Sequence, residues 1–166
     1  MDSARHWLFA VLEHSNIVII VSTGAAILYT KSPTFAYFGF GGLACSLSAK
    51  AVKLLLKQAR PANSQRLSYG MPSTHSSTSA YFATVVTLCS LLRPFHDSLL
   101  PRGVTDADIP FYVRLIPPAV MTSLGALVTL SRVWLGHHTY EQVGGGWVFG
   151  LLFGALWWNI WTNLGM

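Results

Sequence analysis

The sequence predicts an all-α fold: a polytopic transmembrane bundle of about five spanning helices, with an interfacial helix at its N-terminus. Three observations carry that expectation. The 166 residues are 52% hydrophobic and only 10% charged, whereas a soluble domain carries about 25% charged residues. Six Trp and nine Phe supply bulk suited to a lipid-facing surface. The apolar residues also gather into five separate stretches, where one bilayer span needs about 20 residues. A soluble helical bundle is disfavoured, because too little polar surface remains to solvate one. A chain of this length is expected to form a single domain over residues 1–166.

The first stretch runs from Asn16 to Tyr29 and is short for a span. The preceding WLFAVLEH, flanked by Arg5, His6, Glu13 and His14, suits an interfacial lead-in. With an acid at Asp2 and no nearby A-x-A-like site, a removable signal peptide is not expected. The second stretch runs from Phe35 to Leu56, the third from Thr78 to Leu92, the fourth from Tyr112 to Leu130 and the fifth from Val143 to Trp161. Pro117 and Pro118 predict a kink or a late start in the fourth. Gly146, Gly150 and Gly154 form a small-residue stripe of the kind that lets membrane helices approach closely. Cys45 and Cys89 lie within apolar stretches and read as small buried hydrophobes.

If all five stretches cross, the link over residues 57–77 and the link over 131–142 share one face. Those two links hold nearly all the unusual chemistry. The net charge of +5 suggests nucleic acid in a soluble protein, but no basic run is interleaved with polar surface, so no nucleic-acid partner is expected. The cations instead cluster as Lys50, Lys53, Lys57, Arg60 and Arg66, and no acid occurs between Glu13 and Asp97. Ionisable groups in a span are costly unless paired or functional. With no carboxylate at hand, their partner is expected to be an anion from outside the protein. Lys50 and Lys57 also fit a plainer reading, snorkelling to the interface. Setting aside Lys53, Arg60 and Arg132, the remaining cations balance. Arg5, Lys50, Lys57 and Arg66 lie on one face, and Lys31, Arg93, Arg102 and Arg114 on the other, so charge does not orient the bundle.

The segment YGMPSTHSS follows. Pro72 can fix a turn, Ser73 or Thr74 can cap the next helix, and a helix start offers backbone N–H groups to an anion. His75 stands in that first turn. In the second link, SRVWLGHHTYEQ, Arg132 offers a planar fork of donors suited to a phosphate or carboxylate. Gln142 stands four residues after His138, a helical spacing from which it can fix the imidazole tautomer. Two histidines, several cations and a helix start on one face suggest phosphoryl transfer through histidine. Histidines without clustered Asp, Glu or Cys make a poor ligand set for a metal, so neither a metal nor another cofactor is expected.

Three ordered blocks carry a family resemblance: Lys53-x6-Arg60-Pro61, then Pro72-Ser73-Thr74-His75, then Ser131-Arg132-x5-His138. Together they resemble the type 2 phosphatidic acid phosphatase (PAP2) superfamily, over about residues 16 to 160. That superfamily contains metal-independent membrane lipid phosphatases and soluble vanadium haloperoxidases with the same anion cage. The resemblance implies a PAP2/haloperoxidase-like helical core. It implies phosphate binding by Lys53, Arg60, Ser73, Thr74 and Arg132, with His75 as general acid and His138 as the nucleophile that forms a phosphohistidine. Two positions depart from the usual pattern: Thr74 stands in place of Gly, and Gln142 in place of Asp. The blocks are most similar to the dolichyl diphosphatase branch, in which a His-Thr-x-x-Gln-Val segment is normal. That branch implies hydrolysis of a polyprenyl diphosphate to the monophosphate, in the endoplasmic reticulum with the site facing the lumen. The implied partners are the bilayer and a lipid phosphate. A sphingoid-base phosphate or phosphatidate is the alternative substrate, and a non-catalytic lipid-phosphate binder the alternative class.

Overall fold

The computed structural model describes residues 15–62, 64 and 67–165. The expected interfacial lead-in, with Arg5, His6, Glu13 and His14, lies outside the described residues, as does Arg66. The described elements are α1 (Ser15–Thr30), α2 (Pro33–Leu56), α3 (Thr74–Leu92), a single turn α4 (Phe111–Arg114), α5 (Ile116–Trp134) and α6 (Tyr140–Asn163), with two 3-10 turns at Asp97–Leu99 and Asp106–Asp108. Among the described residues there is no strand.

All five expected segments are helices. By length and composition three can cross a membrane: α2, the α4–α5 pair over Phe111–Trp134, and α6. The other two differ for separate reasons. At 1.5 Å per residue α1 is about 24 Å long, short of a ~30 Å hydrocarbon core. Helix α3 is rich in Ser and Thr, yet it packs against α2, α5 and α6, which shield it from lipid. Its polar groups are satisfied inside the protein: Ser77 Oγ donates to Ser73 O at 2.9 Å and Ser76 Oγ to Ser73 Oγ at 3.1 Å. This is why the helix begins at Thr74, four residues before the apolar stretch expected from Thr78.

The prolines act where the sequence places them. Neither Pro117 nor Pro118 can donate a backbone hydrogen bond, so the helix breaks at Leu115 and restarts with both prolines in its first turn. The Arg114 carbonyl, which Pro118 cannot satisfy, accepts Ser90 Oγ at 2.5 Å instead. The Arg114 side chain closes the same end of the bundle. It pairs with Asp106 at 2.5 Å, donates to the Ser90 and Arg93 carbonyls, and lies over the Phe95 ring.

The glycine stripe lies on α3. A Cβ at Gly146 would come within 2.8 Å of Ser73 O, one at Gly150 would overlap the Ser77 carbonyl, and one at Gly154 would meet Thr84 Cβ at 2.9 Å. The order of these contacts makes α3 and α6 parallel, so both helices begin at the same end. Farther along, Phe38, Tyr81, Phe153, Trp157 and Trp161 belong to one aromatic cluster that ties α2, α3 and α6 together. Tyr81 OH donates to Phe38 O at 2.9 Å within it.

The two links share one end of the bundle, as the crossing count requires. Arg60 of the first reaches His137 and His138 of the second. At the opposite end Tyr29 OH donates to Ser98 O at 3.3 Å, joining the tip of α1 to the link after α3.

The seam between α3 and α6 yields a test. Gly150→Ala inserts a methyl where the Ser77 carbonyl stands and should destabilise by about 1–3 kcal/mol, the usual cost of overpacking. Gly144 faces open space, so Gly144→Ala should be neutral or stabilise by a few tenths up to ~1 kcal/mol. Thermal unfolding of both variants in detergent checks the contrast.

Candidate active site

Helix α2 presents a buried stripe of Phe38, Gly41, Gly42, Cys45, Ala49 and Lys53. Lys53 is the next inward position after Ala49, so helical periodicity turns an ammonium toward the interior. It is 7% exposed, whereas Lys50 and Lys57 are exposed, as expected of interfacial lysines. Lys57 ends the helix in a left-handed conformation with φ 49°.

Beyond it the chain turns back across the mouth of the bundle. Arg60 Nη1 donates to the His137 carbonyl at 2.6 Å and meets His138 Nε2 at 3.1 Å. Its other nitrogens are held by Ser68: Nε donates to Ser68 O at 2.7 Å and Nη2 to Ser68 Oγ at 3.0 Å. On the other side of the imidazole, His138 Nδ1 lies 3.2 Å from Gln142 Oε1. The same oxygen accepts Thr139 N at 3.3 Å, and Gln142 Nε2 donates to Ala59 O at 2.7 Å. These partners fix the amide orientation and assign the tautomer. Arg60 has only donors, so Nε2 carries the lone pair, and Gln142 Oε1 is an acceptor, so Nδ1 carries the proton.

His138 is 4% exposed, and Gln142 is 1% exposed. Burial, then the positive charges of Arg60 and Lys53, push the His138 pKa down to about 3; the Gln142 hydrogen bond works weakly against them. The imidazole is therefore neutral at physiological pH. His75 is near enough for its charge to act on His138 in the same direction.

Arg132, in the last turn of α5, is 2% exposed. Its guanidinium reaches Ser131 Oγ at 3.2 Å through Nη2, and its carbonyl accepts the amides of His137 and His138 at 2.9 and 3.2 Å. The residue that contributes a cation thus also shapes the turn that presents the histidine.

Ser73 occupies the N-cap position of α3 but makes no side-chain capping bond. Its Oγ accepts Ser76 Oγ instead, and its amide donates to the Gln142 carbonyl at 3.0 Å. The capping expected of Ser73 is therefore not realised, and its side chain does not occupy the first-turn amides of α3. Thr74 and His75, half-buried, form the mouth end of a cavity of about 410 Å³ between α1, α2 and α3.

His138 thus stands between Arg60 and Gln142, in contact with each; Ser73 joins them through its backbone. Lys53 and His75 act on His138 through their charge, Arg132 holds its turn, and Thr74 stands on the cavity wall. Three contributors were not read from the sequence. Ser68 holds Arg60 from eight residues away. Gly70 lies against the Gln142 amide, and a Cβ there would overlap it. Thr139 and Gln142 form a capping box, which starts α6 at Tyr140, three residues before the apolar stretch expected from Val143. The T-x-x-Q spacing is a readable helix-start signature and could have revealed it.

A membrane-spanning helical bundle with a basic, histidine-bearing mouth is the class these features define. The chain belongs to the PAP2 superfamily, whose profile matches residues 13–166. It is 29% identical to Dolichyldiphosphatase 1 of Dictyostelium discoideum over 149 residues, 87% of this chain and 59% of that protein. It is equally 29% identical to the chloroplastic lipid phosphate phosphatase epsilon 1 of Arabidopsis thaliana, over 90% of this chain and 49% of that one. The chain therefore spans about half to three-fifths of the length of these curated relatives. Its fold resembles a transmembrane PAP2-type phosphatidylglycerolphosphate phosphatase from Bacillus subtilis, with TM-score 0.69, 23% identity, and coverage of 95% of this chain and 78% of that one.

The depressed basicity of His138 has a direct readout. With its pKa at about 3, the imidazole should stay in the neutral Nδ1–H form between about pH 4 and 6, where an ordinary histidine becomes protonated. Nitrogen-15 NMR of histidine-labelled, ligand-free protein should show one such ring, absent from His138→Ala. Titration of that ring near pH 6.5 would contradict the assignment.

Proposed function

We propose that the chain, acting as a single domain over residues 1–166, is an integral-membrane lipid phosphatase that hydrolyses a polyisoprenyl diphosphate to the monophosphate. The observation that carries this is the pinned imidazole: His138 has Nδ1 held by a neutral amide and its Nε2 lone pair aimed at a guanidinium, Arg60. A phosphate oxygen entering the mouth replaces Nε2 as the acceptor of the Arg60 N–H, which frees the lone pair beside phosphorus.

Lys53, Arg60 and Arg132 then hold the non-bridging oxygens, with the Ser73 hydroxyl and the first-turn amides of α3 completing the cradle; Thr74 supplies one of those amides. His138 Nε2 attacks phosphorus, forming a P–N bond as the P–O bond to the leaving group breaks. His75 gives its proton to the departing oxygen. Water then attacks the phosphohistidine, His75 takes the water proton, and the P–N bond breaks to return neutral His138 and release phosphate.

The cations already neutralise the charge that a divalent ion would neutralise, and an added ion would sit against Arg60, Lys53 and Arg132. The reaction is therefore proposed to need no metal. The diphosphate preference rests on the dolichyldiphosphatase resemblance and on Gln142, which adds no negative charge to a site receiving a highly charged anion. The equal identity to a lipid phosphate phosphatase supports a second reading, a lipid monophosphate substrate such as phosphatidate or a sphingoid-base phosphate. Placement in the endoplasmic reticulum with the mouth facing the lumen rests on the same resemblance.

Phosphate release from matched lipid mono- and diphosphates, in detergent with excess EDTA, tests the reaction. Activity should persist in EDTA, vanadate should inhibit, and His138→Ala should abolish turnover while retaining lipid binding. A strict requirement for divalent metal, or near-wild-type rates in His138→Ala, would overturn the proposal. A protein that binds these lipids without releasing phosphate would be the non-catalytic alternative.

Gln142 gives a finer test. Gln142→Ala frees both His138 and Ala59 O and should raise the barrier by about 1–3 kcal/mol, read in kcat. Gln142→Glu keeps an acceptor for Nδ1 but sets a carboxylate oxygen against Ala59 O, in the segment that carries Arg60. It should therefore raise KM as well as lower kcat, and do so more for diphosphate than for monophosphate. Wild-type kinetics in Gln142→Ala would mean that His138 is oriented by another group.

A further inference from the structure

We propose that the cavity between α1, α2 and α3 seats one hydrocarbon chain of the substrate, and that Gly24 sets how much of that chain it accepts. The inference rests on the lipid-phosphatase reading above and extends it to substrate class.

Three observations carry it. First, the cavity meets the proposed site at Thr74 and His75, which line it. In the proposed reaction His75 protonates the leaving group, which is the part of the substrate that bears the lipid. A chain following that group passes directly into the cavity. Second, the walls are mostly apolar along its depth, with Ile20, Ile27, Phe40, Leu43 and Phe82 outweighing the hydroxyls of Thr23, Ser46 and Thr78. From Thr74 to Phe82 is eight residues, or about 12 Å of descent at 1.5 Å per residue. Third, its volume of about 410 Å³ admits one chain. At ~30 Å³ per methylene-sized group, that is room for on the order of a dozen carbons. A smaller pocket of about 270 Å³ lies between α3, α5 and α6, lined by Ala83, Thr87 and Trp147, and shares no residue with the mouth. A single-chain lipid is thus favoured over a diacyl one.

Gly24 is the position from which the cavity can be narrowed without disturbing the fold. It stands on the cavity wall, and a Cβ added there meets nothing within 4 Å. Gly39, on the same wall, differs. A Cβ there would come 3.0 Å from Thr23 Cγ2 and 3.1 Å from Ile27 Cδ1, so substitution would press on the α1 side chains that pack against α2. A large side chain at Gly24 fills the space that a lipid chain would use.

The experiment compares wild type, Gly24→Phe and Gly144→Phe in nanodiscs. The last adds the same bulk to an open, exposed face of α6. The kcat/KM is measured for isopentenyl, farnesyl and long polyprenyl diphosphates, with diacyl phosphatidate as competitor. In wild type, kcat/KM should rise with chain length and phosphatidate should compete poorly. Gly24→Phe should lower the long-to-short ratio by roughly tenfold or more, the scale on which apolar pockets discriminate methylenes, while leaving isopentenyl diphosphate unaffected. Gly144→Phe should leave the ratio unchanged. An unchanged ratio in Gly24→Phe, an equal loss on every substrate, or phosphatidate competing as well as the polyprenyl lipid would overturn the proposal. Photocrosslinking with a diazirine-bearing polyprenyl phosphate needs no turnover and separates the two readings. Labelling of α1–α3 that Gly24→Phe abolishes, without any hydrolysis, would sink the phosphatase and keep the chain seat. Labelling confined to other helices would sink the chain seat, whatever the turnover.

Discussion

Along the contact between α3 and α6, glycine backbone meets serine and threonine with no room for a side chain between them. Gly146, Gly150 and Gly154 leave less space than a Cβ needs, so the two helices can approach only in this register. Lipid offers no hydrophobic drive for helix pairing, and such contacts rely on dispersion and close backbone approach. The seam runs parallel, and that direction brings the start of α3 and the start of α6 together. Ser73 N bonds to Gln142 O at 3.0 Å across the join. This seam sets His75, in the first turn of α3, relative to the start of α6, and the Arg132 turn and Gln142 hold His138 just ahead of that start.

A second consequence is electrostatic. Two helix N-termini and two helix C-termini meet at the mouth. The starts of α3 and α6 contribute partial positive charge. The ends of α2 and α5 contribute partial negative charge, and each carries a basic residue in its last turn, Lys53 and Arg132. Those two cations would suit their helix ends in any protein. Burial at 7% and 2% exposure is not part of that ordinary role. A C-terminal lysine or arginine that served only its helix dipole would keep its head group in water. Both are instead turned inward, and Lys53 adds to the burial and the Arg60 charge that depress His138.

The segments, the shared face of the two links and the glycine seam were legible in the sequence, because each follows from local composition or from a count of crossings. The start of α3 was legible too, because Pro72 and a cap at Ser73 or Thr74 put His75 in its first turn; the burial of its serine run was not, since glycines on another helix cover it. Nor were Ser68, Gly70 and the Ala59 carbonyl. Gln142 Nε2 reaches Ala59 across 83 residues of sequence, and no periodicity encodes such a contact. The local half of the same residue, Gln142 at four residues from His138, was readable as helical spacing. One side chain thus divides into a part that the sequence discloses and a part that only the fold supplies.

That second bond changes what Gln142 signifies. A carboxylate at this position could accept from His138 Nδ1, but it could not donate to Ala59 O. The amide does both, so a single residue holds the imidazole and the backbone next to Arg60. Gly70 keeps it in place, because a side chain at that position would displace the amide. The exchange of charge for a second hydrogen bond has a cost. A neutral partner does little to raise the basicity of an imidazole already lowered to about 3 by burial and cations. In the proposed reaction the substrate corrects this itself. Its phosphate groups bring the negative charge that the site lacks, draw Arg60 off the lone pair, and raise the nucleophile's basicity only when there is phosphorus to attack. The more negative charge the headgroup carries, the larger that correction. A neutral orienting residue is therefore best matched to a diphosphate, and an acidic one to a monophosphate.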